Sequence, residues 1–287
     1  MNKVSLTPQG LVDSIEDLAT LPEVALRIAR RVEDPSSSAA DIGREISHDA
    51  ALTARLLRIA NSPALGHHGK IATISRAITV LGVRQVRDLT VGLTAIRTFE
   101  GISNELVTME SFWRHSFLCA VAAGQIAALR GRSPDDSPFV AGLLHDIGQL
   151  VLFSRAPVPA RQALLMSVDS ADDLGLFLCE REVMGFDHGA VGLALAQKWG
   201  LPRSLQECIE FHHEPGRAQG HPLEVATVHI ANSAAVLAEI GSRELTDAPA
   251  ISDAALRAAR MDAAGVLEIV QQTQKLGAEL LPLLIAA

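Results

Sequence analysis

The amino-acid sequence predicts an all-α protein, a multi-helix bundle with a helical N-terminal subdomain. Three observations carry that prediction. Apolar residues recur three and four positions apart in segment after segment, as in Val86, Leu89, Leu93 and Ile96, which puts them on one face of a helix. Serine, threonine and aspartate stand before these segments as caps, and glycine or proline stands after them as a stop. Apolar residues make up 48% of the chain and charged ones 20%, with no tyrosine, a composition that suits a large packed core and excludes a disordered chain.

The totals set further bounds. At 287 residues the chain can bury a sizeable core. Its formal net charge of −8 disfavours nucleic acid and anionic membrane as partners, because indiscriminate binding to either comes mostly from neutralising phosphates. Cys119, Cys179 and Cys208 are odd in number, far apart and set among apolar neighbours, so reduced core thiols are expected. The opening MNKVSLTPQG lacks the apolar stretch of a signal peptide. Val225 to Ala238 carries polar residues and falls short of a membrane span of roughly 20 residues. The expectation is a soluble cytoplasmic protein.

Taken in order, Pro22 to Glu33 reads as a helix opened by proline and stopped at Asp34-Pro35, with Val24, Ile28 and Val32 inward. Ser37 or Ser38 caps a short helix through Ile46, and Asp49 caps another, AALTARLLRIAN, that stops at Ser62-Pro63. Two helices on a short turn invite comparison with a DNA reader. The second is too apolar for that role, since Leu52, Leu56, Leu57 and Ile59 leave mainly Thr53, Arg55 and Arg58 outside. After a loop with His67 and His68, Thr73 caps TISRAITVLG and Gly82 stops it. Val83 to Phe99 is amphipathic, with Arg84, Arg87 and Asp88 on its polar side. Glu105 to Arg130 is a long helix carrying His115, whose ordinary reading is a satisfied core histidine.

The stretch from Phe139 to Leu152, FVAGLLHDIGQLVL, reads as the central helix, capped by Ser137 with Pro138 in its first turn. It buries His145 and Asp146 among apolar residues, where unpaired polar groups are costly. Either the pair is hydrogen-bonded in the core, or other histidines complete a metal centre with it. Pro157 and Pro159 then break the chain, and helices follow at Ala160 to Val168 and Ala171 to Met184. Asp187 caps HGAVGLALAQKWG, so His188 sits at a helix N-terminus, where the dipole favours a neutral imidazole. A helix from Pro202 ends in EFHHEP, with His212 and His213 at a terminus whose dipole favours cationic histidine. Pro222 to Ile240, with His229 and Asn232, precedes two last helices, Ala254 to Met261 and Ala263 to Ile285, which pack onto the domain or form a dimer contact.

This order of pieces resembles the HD-related output domain, a bacterial signalling module. The resemblance is carried by Leu21-Pro22, ISHDAALTARLLRIANSPALG (Ile46 to Gly66), ISRAITVLG (Ile74 to Gly82), LLHDIG (Leu143 to Gly148), FDHGAVGLALAQKWGLP (Phe186 to Pro202) and His212-His213. It spans roughly Leu18 to Ala235 and implies an HD-domain-like bundle. The division it suggests is an N-terminal helical part at 1–105, an HD-like core at 106–240 and C-terminal helices at 241–287.

The wider HD superfamily holds one or two metals between histidines of separate helices and the HD pair. Carried over, the implied metal ligands are His115, His145, Asp146, His188, and His212 or His213, with Asn232 at the position of a final aspartate ligand. Iron, manganese or zinc is the implied cofactor. Such an ion polarises a phosphoryl oxygen and activates a bound water. Three departures point away from catalysis. Gln149 stands where catalytic relatives carry lysine after HDxG, and an amide cannot stabilise phosphoryl charge as an ammonium does. Asn232 is a weaker, uncharged ligand, and EPGRAQGHP after His213 lacks the family's glycine-tyrosine-proline signature. The resemblance therefore implies a noncatalytic output domain that relays an upstream signal to a protein partner, with no catalytic residue assigned. The alternative it leaves is a metal-dependent phosphohydrolase acting on a cyclic dinucleotide or other nucleotide.

Overall fold

The computed structural model describes residues 6–15, 27, 28, 31, 37–61, 70–99, 107–130, 138–169 and 175–285, and these are helical with no strand among them. The helix read at Pro22–Glu33, apart from three of its residues, and the loop carrying His67 and His68 lie outside that description, as does Ser137. The N-terminal elements are α1 (Pro8–Asp13), α2 (Ala39–Ser47), α3 (Ala50–Ala60), α4 (Ile74–Leu81) and α5 (Val83–Thr98). Local chemistry accounts for their ends. Ser38 and Asp41 form a capping box on α2, Asp49 accepts the Leu52 amide on α3, and Thr73 accepts the Arg76 amide on α4. Gly82 parts α4 from α5 at φ 87°, a conformation that disfavours side chains with a Cβ. Val86, Leu89, Leu93 and Ile96 are buried as their spacing requires, while Arg87 is half-buried rather than outward. Helix α1, capped by Thr7 with Pro8 in its first turn, went unread in the sequence despite that signal.

The remaining helices are α6 (Met109–Leu129), α7 (Pro138–Leu144), α8 (Ile147–Arg155), α9 (Pro157–Asp169), α10 (Leu176–Met184), α11 (His188–Lys198), α12 (Arg203–Phe211), α13 (Pro222–Ile240), α14 (Asp253–Ala259) and α15 (Ala263–Ile285). Three predicted boundaries move. Helix α6 starts at Met109 rather than Glu105, because Thr108 adopts an extended cap conformation and accepts the Ser111 amide. Helix α9 starts at Pro157 rather than after the prolines, since the first turn needs no amide donors from them. Helix α10 starts at Leu176, later than the Ala171 expected.

Helix α6 is the hub, packed against α7, α13 and α15. Helices α8, α11 and α12 form the facing group, with α1 laid across α8 and α11 and the three apolar residues Leu11, Val12 and Ile15 fully buried there. Phe99, at the end of α5, meets Trp199, just past α11, edge to face at 6.3 Å, a contact worth about 0.5–1.5 kcal/mol that ties the N-terminal helices to this group. The three cysteines are buried and form no disulfide, as expected. By length and composition, α13 could cross a membrane, contrary to the sequence reading of that stretch. In the fold, 67% of its apolar window is buried, against α6, α14 and α15.

Candidate metal centre

Phe139 to Leu152 is two helices, not the single one its apolar run suggests. Helix α7 ends at Leu144, His145 and Asp146 form a turn, and α8 begins at Ile147. Asp146 at φ −97°, ψ 10° departs from helical geometry. On a continuous helix these neighbouring side chains would diverge by about 100°. Across the turn they converge, with His145 Nε2 3.2 Å from Asp146 Oδ2. His145 Nδ1 lies 2.7 Å from the Gly142 carbonyl, one of the groups that the end of α7 leaves without a helical partner.

The Asp146 carboxylate is the centre of the cluster. His188 Nε2, at the start of α11, and His212 Nε2, just past α12, each lie 3.3 Å from its Oδ1. His213 Nε2 is 3.0 Å from His188 Nε2, and His115 Nε2 on α6 is 3.8 Å from Asp146 Oδ2. Two donor groups result, Asp146 with His188, His212 and His213, and Asp146 with His115 and His145, each with its ligand atoms within 4.8 Å of one another. All six residues named from the sequence are therefore brought together. Asn232 on α13 joins them at one remove, its Oδ1 3.0 Å from His115 Nε2.

Close packing makes the convergence possible. Helices α8 and α11 meet through Gly148 and Gly192, and a Cβ on Gly148 would stand 1.9 Å from the His188 carbonyl oxygen. Behind the donors, three of the imidazoles are held by an acceptor. His145 Nδ1 faces the Gly142 carbonyl, His212 Nδ1 the Ile209 carbonyl at 2.9 Å, and His188 Nδ1 the Glu180 carboxylate at 2.6 Å. Such back-side partners fix the tautomer and leave each Nε2 turned inward. His229 lies outside the cluster and supports it, donating from Nδ1 to the His212 carbonyl at 2.7 Å and accepting the Ser252 amide at Nε2.

Burial by itself would push both His145 and His188 towards neutrality. Asp146 outweighs it at His145, which is held well above its ordinary pKa, and Glu180 with Asp146 raises His188 to about 10. The neutral His188 expected from the helix dipole is thereby corrected, because partial charges at a helix end yield to two carboxylates in contact with the ring. Burial opposes ionisation of Asp146 too, yet the surrounding imidazoles hold its pKa well below the usual range. His212 and His213 go the other way. Burial, reinforced by neighbouring cationic imidazoles, lowers His212 to about 4 and His213 well below its ordinary value, overriding the dipole at the end of α12.

The residues fit a divalent ion. His145 Nε2 and Asp146 Oδ1 are buried with no hydrogen-bond partner among the described residues, and both face the other donors. Two carboxylates, Asp146 among the donors and Glu180 behind His188, stand at the centre to offset an ion of charge two. Imidazole with carboxylate suits iron, manganese or zinc.

Sequence reading missed the supports of this centre. Glu180 is 1% exposed, and Glu239 Oε2 lies 3.1 Å from His115 Nδ1. A signal existed for the first, since Glu180 sits beside apolar Cys179 on a short amphipathic helix, and a buried charge needs a partner. No local pattern marks Glu239.

Fold and site together define an all-helical HD-type domain with a buried histidine–aspartate centre. The family model for the HDOD domain matches residues 18–215, and the chain belongs to that family. An uncharacterised protein of Treponema pallidum (strain Nichols) is 28% identical over 225 residues, covering 78% of this chain and 43% of its own length. The chain thus spans less than half of that relative. Among solved structures, a protein provisionally named a phosphohydrolase from Shewanella amazonensis SB2B is similar at TM-score 0.72 and 24% identity, over 96% of this chain and 97% of that one. An HDOD domain protein of unknown function from Geobacter sulfurreducens is similar at TM-score 0.67 and 24% identity, over 95% and 93%. These two likenesses establish the shared fold.

Proposed function

We propose that this protein is a cytoplasmic signalling output domain whose histidine–aspartate centre holds a divalent ion as part of the fold, and that it relays an upstream signal by contact with a protein partner rather than by turnover. The observation that carries this reading is the burial of the four central donors, with His115 and His213 half-buried at the rim. His145, His188 and His212 are at most 1% exposed and Asp146 is 7% exposed, the character of a structural metal site rather than one that keeps a position open for substrate. Supporting it, Gln149 brings no cation to the centre, and the bordering arginines are engaged elsewhere. Arg114 faces Glu239, and Arg181 pairs with Asp187 and Glu214.

A second reading, a metal-dependent phosphohydrolase acting on a nucleotide, is favoured by one observation, that two donor groups share Asp146. Such a layout suits a pair of ions able to polarise a phosphoryl group. The two readings part in one experiment. Protein purified without chelator or nickel resin is analysed for metal, then assayed with manganese or iron on cyclic dinucleotides and phosphomonoesters, with partner copurification alongside. Bound metal, no turnover and a retained partner are expected. Robust hydrolysis that Asp146→Ala abolishes would put the second reading in its place.

A further inference from the structure

Phe177, Glu180 and Arg181 occupy one face of α10, at positions i, i+3 and i+4; Glu180 and Phe177 reach His188 and His213 of the four-donor group, and Arg181 reaches the residues flanking them. Glu180 Oε2 accepts twice from one residue, from the His188 backbone amide at 2.8 Å and from its Nδ1 at 2.6 Å. A single carboxylate oxygen thus ties the imidazole to its own backbone, and any rotation of the ring breaks the shorter bond. Phe177 stacks flat on His213, with ring centroids 4.5 Å apart and planes 5° from parallel. Arg181 lies over Phe177 and donates to Asp187, the residue before His188, and to Glu214, the residue after His213. Helix α10 packs chiefly on α9 and only lightly on α11. These side-chain bonds are therefore what join it to the centre.

We infer that Glu180 is a positioning residue that sets the metal affinity of the four-donor group by fixing the tautomer and orientation of His188, with Phe177 and Arg181 steadying the flanking donor. The inference rests on the metal-centre reading above. Its test is cobalt(II) titration of the full metal-free chain, following the visible d–d spectrum, with zinc affinity measured by chelator competition. Loss of such a back-side partner lowers metal affinity about 10–100-fold. Glu180→Ala is expected to bind that much more weakly and to change the cobalt spectrum. Glu180→Gln, whose amide oxygen still accepts from Nδ1–H, is expected to recover most of the affinity and to melt, metal-free, near the wild type. If the alanine variant does not fold, Glu180→Asp takes its place, being one methylene too short to hold both donors, with the same direction of effect. Affinity within twofold of wild type and an unchanged spectrum in these variants would overturn the inference. A wild-type chain that takes up no cobalt would instead overturn the metal-centre reading, and this inference with it.

Discussion

Replacing Gly148 by alanine pits two physical effects of opposite sign. Helix propensity alone predicts that Gly148→Ala stabilises α8, by about 1 kcal/mol. Packing predicts the reverse. The new Cβ would lie 1.9 Å from the His188 carbonyl oxygen and 2.6 Å from the Gly192 amide nitrogen, both backbone atoms that cannot swing aside. Restoring an ordinary contact of 3.4 Å requires α8 and α11 to part by about 1.5 Å at that point. Overpacking of this kind costs about 1–3 kcal/mol, and the fixed backbone places this site at the upper end. At roughly 2–4 °C per kcal/mol for a protein of this size, the melting temperature should fall by about 6–12 °C. The carbonyl belongs to His188 and Gly148 lies two residues from Asp146, so the same displacement opens their 3.3 Å approach and weakens metal binding. Thermal melts of the metal-free protein and equilibrium metal titration read the two effects separately. A variant that melts at or above wild type and binds metal unchanged would refute the packing argument.

Other expectations follow from the same geometry. His229→Ala leaves the His212 carbonyl and the Ser252 amide without their partner and should cost about 1–3 kcal/mol in urea melts while keeping the metal stoichiometry, whereas lost stoichiometry would make His229 more than a support. Metal affinity should rise with pH towards about 10, the value to which His188 is raised, because His145 and His188 must shed protons to bind an ion. A flat profile in competition titrations would contradict the proton balance of the centre. The Leu52 amide and then Arg97 hold the Asp49 carboxyl below its ordinary pKa, so its stabilisation is present above the unfolded value near 3.9 and is lost as the pH falls through the folded one. Asp49→Ala should therefore cost about 1 kcal/mol at neutral pH, with the gap to wild type narrowing below about pH 4, and a gap that does not change with pH would count against this account.

Much of the architecture was legible from the chain itself, because helix ends are local events. Ser38, Asp49, Thr73 and Asp187 each cap the helix their position suggests, since a side-chain oxygen and an amide three residues on are neighbours in any fold. The burial of Val86, Leu89, Leu93 and Ile96 follows from periodicity for the same reason. Candidate ligands could be named because the motif resemblance singles out His115, His145, Asp146, His188, His212 and His213. Tertiary structure alone decided the rest. The helix break at His145-Asp146 depends on where three other helices deliver their imidazoles, and no propensity scale separates it from a continuous apolar helix. Nor could local rules give the charge on His188. Its dipole is written in the neighbouring residues, but the carboxylates that override it come from α10 and from the turn before α8, and a Coulomb interaction depends on distance in space rather than on separation along the chain.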